Sequence, residues 1–216
     1  MASLNDNLLK GLNNFSPSAR MAAYKCNKFH FDPLSLYLWN IHLSESLYQS
    51  LSFLEVTFRN ALSDAISKLY SLPNWLLHRK LLSEKESKKI DSVIRDLELR
   101  KKAIDQGKVM AELSFGFWTS LLDKRYEQVL WPKIIKMAFP NMPSKIRTRK
   151  VLSKRFNKIR LLRNRIFHYE PIWHWVDLKQ QYEDLLEALH WIEPKTAELL
   201  SKNCRFLSVY QNGPKI

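Results

Sequence analysis

The chain has 216 residues, with 35 Lys and Arg against 21 Asp and Glu, a formal net charge of +14 at pH 7, 45% hydrophobic residues, four Gly and two Cys. At this length one domain is the default, and its core is large enough to be stable without cross-links. Two cysteines, Cys26 and Cys204, cannot build a disulfide framework or a four-cysteine zinc site, and neither glycine-rich phosphate-loop pattern occurs in the sequence.

The first strongly patterned segment runs from Leu34 to Leu69. Its apolar residues recur mostly at steps of three and four, which predicts one long helix of about 35 residues. Pro33 suits the first turn of this helix and Pro73 suits its end.

Shorter helices are predicted in the middle of the chain. Ser83 and Glu86 have the spacing of a capping box, which predicts a charged helix running to about Ile104. Two further helices are predicted over about 110–122 and about 126–138. Their aromatic residues are expected in the core: Phe115, Phe117, Trp118 and Trp131.

Two longer helices are predicted towards the carboxyl end. The stretch from about Ile146 to Phe167 has loosely helical apolar spacing, and Pro171 disfavours its continuation. A last helix is predicted over about 177–200, with Pro194 bending or splitting it, and the final dozen residues are predicted to be a loose tail. With no alternating strand pattern, the fold class is all-α with one bundle-like core.

The predicted organisation is an arm with a short helix over residues 1–30, a single helical domain over 31–203 and a tail over 204–216. The amino-terminal segment has no basic head followed by an apolar stretch, and no run approaches eighteen apolar residues. We therefore expect a cytoplasmic protein with no membrane-spanning segment. The histidines follow no metal-ligand pattern, so we expect no metal and no cofactor.

Positive charge is concentrated in one segment. The residues from Ser144 to His168 include ten basic and no acidic side chains. Such a helix repels itself unless a polyanion lies against it, so nucleic acid is the favoured partner class. A solvated basic face is the alternative, and a basic membrane-surface protein would need an amphipathic basic helix or lipidation site that is not found. The residues expected to bind RNA are Lys150, Lys154, Arg155, Lys158 and Arg160.

The basic segment ends in a motif that can support RNA cleavage, formed by Arg163, Asn164 and His168. Histidine exchanges a proton near neutral pH, and arginine offers a fixed cation for charge on phosphorus. In a regular helix the step from Arg163 to His168 turns about 140°, whereas Asn164 and His168 align. For Arg163 and His168 to act together, either the long Arg163 side chain must reach round the helix, or the helix must loosen before Pro171.

In context, the motif resembles the signature of the HEPN superfamily, and specifically its Abi-like branch of bacterial abortive-infection proteins. The resemblance spans about residues 16–192. Further matching pieces lie in the family order: Leu36-Tyr37-Leu38-Trp39-Asn40 with Ser44, Leu54-Glu55-Val56-Thr57-Phe58-Arg59-Asn60-Ala61, and Ser114-Phe115-Gly116-Phe117-Trp118 followed by Tyr126, Trp131 and Phe139-Pro140.

The resemblance implies an α-helical bundle that dimerises, so that two motifs face each other across one cleft. It also implies a metal-independent endoribonuclease that leaves a 2′,3′-cyclic phosphate. Carried over, Arg163 and His168 are the catalytic pair and Asn164 is the polar residue that follows the arginine. Tyr169 stands where the family often has a second histidine.

Several neighbouring residues are candidates for supporting roles. Glu55 and Arg59 are four apart, so an ordinary surface ion pair is one interpretation; the resemblance places both, with Asn60, near the cleft. For Glu170 two interpretations are open: it orients His168 or Arg165, or it is an exposed carboxylate with no such role. Trp173 and Trp175 are expected in the core, with stacking on RNA bases as the alternative.

The leading functional hypothesis is a dimeric endoribonuclease that cuts cellular or phage RNA in phage defence or growth arrest. A non-catalytic RNA-binding or regulatory module is the second hypothesis, and a purely protein-binding helical bundle is the third. Because a toxic ribonuclease must be restrained, an antitoxin or a phage-derived regulator is expected as a partner in addition to RNA.

Overall fold

The computed structural model describes residue 11 and residues 18–25, 31–79 and 81–214, and their regular structure is entirely helical. The predicted all-α class is confirmed. The predicted arm, residues 1–30, lies outside the described residues except for Gly11 and the first helix. The helices are α1 (Ser18–Lys25), α2 (Pro33–Tyr70), α3 (Trp75–His78), α4 (Glu84–Leu99), α5 (Gln106–Glu112), α6 (Phe115–Ser120), α7 (Trp131–Ala138), α8 (Arg149–Phe167), α9 (Leu178–Ile192), α10 (Pro194–Asn203) and α11 (Phe206–Asn212).

The long helix predicted from the apolar spacing is α2. Asp32 caps its start by accepting the backbone N–H of Ser35 at 2.9 Å, and Pro33 occupies the first turn as expected. It ends at Tyr70, where Ser71 takes a left-handed conformation with a φ of 50°. Helices α7, α9 and α11 all pack against α2, so it is the central element of the bundle.

An aromatic cluster anchors α8 to this central helix. The ring of Phe58 in α2 stacks on that of Phe156 in α8, with centroids 4.1 Å apart. Phe139, just after α7, meets the Phe156 ring edge-on at 5.7 Å. All three rings are fully buried, as is Leu162 one and a half turns further along α8. This packing fixes which face of α8 points towards α2.

The middle helices are more broken than the spacing predicted. The segment predicted as one helix over 110–122 is split, because Ser114 starts a new helix by accepting the backbone N–H of Phe117 at 3.3 Å. The helix predicted to run to Ile104 ends at Leu99, and the one predicted from Tyr126 begins at Trp131 after a single 3₁₀ turn. The expected burial of the aromatic residues is confirmed.

The prediction of a loose carboxyl-terminal tail was wrong. Pro194 does split the last predicted helix, into α9 and α10. The chain then forms α11, whose Phe206 is fully buried against Tyr182, at 4.7 Å between ring centroids. The Trp39 indole N–H also donates to the carbonyl of Val209 at 3.0 Å. In the described part of the chain, no helix combines the length and apolar character needed to cross a bilayer.

Candidate functional site

The predicted catalytic motif lies at the carboxyl end of α8. Thr148 caps the start of this helix by accepting the backbone N–H of Val151 at 3.2 Å. Arg163 and Asn164 lie in its last turns, and His168 is the capping residue, with its backbone N–H donated to Asn164 at 2.9 Å. The helix therefore stays regular up to Phe167, and it does not loosen before the motif is complete.

The chain leaves α8 through a tight left-handed cap. Tyr169 has a φ of 57° and donates its N–H to the Ile166 carbonyl at 3.1 Å, while Glu170 donates to the Arg165 carbonyl at 2.9 Å. This is a Schellman motif, in which glycine is the usual left-handed residue. The Glu170 carboxylate also pairs with the Arg165 guanidinium at 2.7 Å. Of the two residues that Glu170 was expected to orient, it therefore contacts Arg165.

The loop after the cap is held by α2. The Asn40 side-chain oxygen accepts the backbone N–H groups of Ile172 and Trp173 at 2.7 and 3.2 Å. The Trp173 side chain is buried, as expected, and the Arg165 guanidinium lies 5.8 Å from the half-buried Trp175 ring. Desolvation and the nearby charge of Arg165 lower the pKa of His174. The loop that follows His168 is therefore held by buried hydrogen bonds to α2.

Arg163 points into a groove between α2 and α8. Its Nε atom lies 3.5 Å from a carboxylate oxygen of Glu55, and its guanidinium lies 4.2 Å over the ring of Phe167. The groove has a volume of about 200 Å³. It is lined by Tyr48, Leu51, Ser52, Glu55, Val56, Arg59, Arg163 and Phe167.

The structure brings some of the predicted site residues together and separates others. Glu55, Arg59 and Arg163 share the groove, although Glu55 pairs with Arg163 and makes no ion pair with Arg59 within the described residues. Asn60 is exposed and does not line the groove. His168 is exposed beyond the helix end and does not line it either. One chain thus presents Arg163 and His168 on different sides of α8, as their spacing predicts.

The expectation that α8 needs a polyanion to offset its charge was wrong in part, because other elements supply carboxylates. Arg155 pairs with Glu187 at 2.6 Å, and Lys158 pairs with Asp177 at 2.9 Å. Both were predicted to bind RNA, and both are engaged with residues in or at the start of α9. Further pairs join Arg149 to Glu127, Arg155 and Lys158 to Asp184, Arg163 to Glu55, and Arg165 to Glu170.

Three of the five predicted RNA-binding residues form no ion pair within the described residues. Lys150 and Lys154 are exposed, and neither pairs with a carboxylate in the part of the chain that the structure describes. Arg160 donates a hydrogen bond to the side chain of Asn157 at 3.3 Å and forms no ion pair with any described residue. On a helical wheel Arg160 lies about 60° from Arg163, in the direction of His168. The unpaired cations thus extend from the start of α8 towards the motif.

A larger cavity that the sequence did not predict lies on the other side of Tyr48 and Phe167. Its volume is about 640 Å³. The two rings, 5.6 Å apart, form part of the wall of both hollows. The only sequence signal for this cavity is a set of apolar residues spaced three or more apart along α2. In the sequence these residues cannot be distinguished from the apolar residues of the same helix that face the core. The cavity is lined by Tyr37, Asn40, Ile41, Ser44, Glu45, Tyr48, Ile166, Phe167 and Tyr169.

Comparison with known proteins gives no relative for this chain. No protein-family model matches it, no curated protein matches it, and no solved structure matches it. Among the described residues, no three His, Cys, Asp or Glu side chains are grouped as a metal site requires.

Proposed function

We propose that the protein is a metal-independent endoribonuclease of the Abi-like HEPN type, acting in the bacterial cytoplasm in phage defence or growth arrest. One observation carries the proposal: Arg163 lies in a groove with a second arginine, at the end of a helix whose unpaired cations lead to an exposed histidine. Long-range attraction by the +14 charge brings RNA to this surface.

The proposed reaction needs only side chains that this chain supplies. His168 takes the proton of a ribose 2′-OH, and the oxygen attacks the neighbouring phosphorus. The bond to the 5′-oxygen breaks, and that oxygen receives a proton from an acid, leaving a 2′,3′-cyclic phosphate and a 5′-hydroxyl. Arg163 stabilises the additional negative charge on the phosphorane through its fork of N–H donors. Asn164 is the polar residue of the motif.

The division of base and acid roles between two chains is part of the proposal. Arg163 and His168 lie on different sides of α8 in one chain, so a second copy is needed to place a histidine opposite each arginine. Exposed apolar side chains beside the motif support such self-association, because apolar patches of this kind mark protein contacts. They are Leu38 and Ile41 of α2 with Tyr169.

The RNA path is proposed along the unpaired cations of α8. Lys150, Lys154 and Arg160 contact phosphates, which positions the strand without reading its sequence. Arg155 and Lys158 are assigned instead to the junction of α8 with α9, since both are engaged by its carboxylates. Arg165, Tyr169 and Glu170 hold the cap that presents His168.

The proposal is tested by the chemistry of the products. A labelled structured RNA and its DNA counterpart are incubated with the protein in EDTA, and the ends of any fragments are identified. We expect cleavage of RNA alone, with 2′,3′-cyclic phosphate and 5′-hydroxyl ends, because the 2′-OH is the nucleophile. Cleavage of both nucleic acids, or 5′-phosphate ends, would contradict the mechanism.

A non-catalytic RNA-binding or regulatory module is the second candidate, and a specific contact favours it. Arg163 is already held by Glu55 and the ring of Phe167, and it makes no contact with His168 among the described residues. The module would bind RNA with steep salt dependence and leave it intact. An antitoxin or phage-derived protein that covers the groove would give the same result, and an assay after removal of any bound protein separates the two.

A further inference from the structure

The groove between α2 and α8 contains one more positive charge than the catalytic motif requires. Arg59 projects into it from α2, one turn beyond Glu55. Sequence spacing pairs Arg59 with Glu55, but the structure pairs Glu55 with Arg163 instead. Two guanidinium groups and one carboxylate leave the groove with a net charge of +1.

The guanidinium of Arg59 is poorly satisfied by the protein itself. Its Nε atom is buried and has no hydrogen-bond partner, and Arg59 forms no ion pair within the described residues. A buried donor left unpaired is unfavourable, and a ligand that accepts a hydrogen bond from it removes that cost. The terminal amino groups of Arg59 make no hydrogen bond to the described residues, and Arg59 is one of the residues that line the groove.

The Nε atom of Arg163, like that of Arg59, is buried and has no hydrogen-bond partner among the described residues. Glu55 approaches its Nε atom at 3.5 Å, and Phe167 packs against one face of its guanidinium. These contacts restrict the side chain while its two terminal nitrogens form no hydrogen bond to the described residues. Planar guanidinium forks match phosphate oxygens, and two such forks in one groove hold an anion from two directions.

The chemistry of the surroundings identifies the anion. A phosphodiester carries one negative charge and would bring the groove to neutrality. The exposed aromatic rings of Tyr48 and Phe167 line the same groove, and such faces stack on nucleic-acid bases. Arg160, which forms no ion pair with the described residues, lies one turn before Arg163 on α8 and continues the positive surface out of the groove.

We propose that Arg59 is a phosphate-binding residue, and that it holds, together with Arg163, the RNA phosphodiester that is cut. The inference rests on the proposed function, since RNA is taken as the ligand. Of these two arginines, Glu55 pairs only with Arg163 among the described residues.

The test is RNA binding measured in a His168→Ala background, so that the RNA stays intact whether or not the wild type cuts it. A short labelled RNA is titrated over a series of salt concentrations with Arg59 intact, Arg59→Ala and Arg59→Lys. We expect Arg59→Ala to weaken binding roughly tenfold and to reduce the slope of log Kd against log salt by about one. Arg59→Lys should keep the charge and therefore the slope, but it should bind RNA more weakly because lysine lacks the planar guanidinium fork.

The matched control is Arg95→Ala, which removes the same charge from an exposed position on α4, outside the groove. Thermal unfolding of each variant verifies that it is folded. Equal slopes for Arg59→Ala and Arg95→Ala would overturn the inference, as would full affinity with Arg59→Lys and Arg59→Ala alike. This experiment measures binding and not cleavage. A wild type that never cuts RNA would therefore contradict the proposed function, whereas the role of Arg59 would still be decided by the binding data.

Discussion

Asn40 and Ile172 are joined by a buried hydrogen bond of 2.7 Å, in which the Asn40 side-chain oxygen accepts the backbone N–H of Ile172. The same oxygen accepts the N–H of Trp173 at 3.2 Å. One side chain near the start of α2 therefore fixes the loop that follows His168, although the two segments are over 130 residues apart in sequence. The motif is held in place by a helix that lies far from it in the chain.

Replacement of Asn40 is predicted to destabilise the fold. In Asn40→Ala the two backbone donors stay buried without an acceptor, so the free energy of unfolding should fall by about 2 kcal/mol. Denaturant unfolding at neutral pH measures this change. Asn60→Ala, an exposed asparagine of the same helix, is the control and should leave the midpoint nearly unchanged. Equal midpoints for the two variants would show that the loop is held by other contacts.

The left-handed cap after His168 predicts a stabilising substitution. Tyr169 is 74% exposed and has a φ of 57°, a conformation that a side chain with a Cβ adopts only under strain. Tyr169→Gly should be about 1 kcal/mol more stable than Tyr169→Ala, because both lose the ring and only glycine removes the strain. Thermal unfolding compares the pair. A more stable alanine variant would contradict the assignment of strain to this residue.

Glu86 predicts a loss of stability in acid. Burial raises the pKa of this carboxyl, but hydrogen bonds from Ser83 and Tyr126, with the charge of Arg125, outweigh it and hold the pKa below its ordinary value of 4.5. A lowered pKa in the folded state stabilises the fold above the unfolded pKa. That contribution is lost as the pH falls through the folded pKa.

The measurement for Glu86 is the free energy of unfolding from neutral pH down into the acid range. The difference between wild type and Glu86→Gln should be largest near neutral pH and shrink as the pH falls below about 4.5. Glu98→Gln, an exposed carboxyl on the same helix with no ion pair among the described residues, should follow the wild-type curve. A difference that stays constant with pH would contradict the role of the ionised group.

The basic residues of α8 should divide into two classes. Arg155 pairs with Glu187 at 2.6 Å and lies 4.8 Å from the ring of Trp191, so Arg155→Ala should lower the free energy of unfolding by about 1–2 kcal/mol. Its effect on the salt dependence of RNA binding should be small. Lys154→Ala should do the reverse, with near-normal stability and a salt slope smaller by about one. Equal binding defects would contradict the division.

The helical class and the long central helix follow from local patterns. Apolar steps of three and four, with Pro33 at the start, are enough to predict α2, because its core-facing residues form one continuous stripe. The break at Ser114 and the helix from Phe206 were missed. A serine cap competes with continuing apolar spacing, and the burial of Phe206 depends on Tyr182, which the sequence alone cannot place beside it.

The candidate site was predictable in its residue types and less so in its geometry. The acid-free run in α8 indicated phosphate contacts for five of its cations, but two of these, Arg155 and Lys158, pair with carboxylates of Asp177 and α9. Ion pairs between distant elements depend on the tertiary structure. The number of basic residues in one segment therefore overstates how many of them are available to bind phosphate. The joint placement of Glu55 and Arg163 likewise depends on the packing of α8 on α2.

The most direct measurement is the rate of RNA cleavage by wild type, His168→Ala and His190→Ala, purified identically and assayed in EDTA. His190 is an exposed histidine on α9, so its replacement controls for contaminating nucleases and for the loss of an imidazole. We predict that His168→Ala cuts at least about a hundredfold more slowly while His190→Ala matches the wild type, since general acid–base groups contribute that much. Equal cleavage by both variants would contradict the assignment of His168 to the reaction.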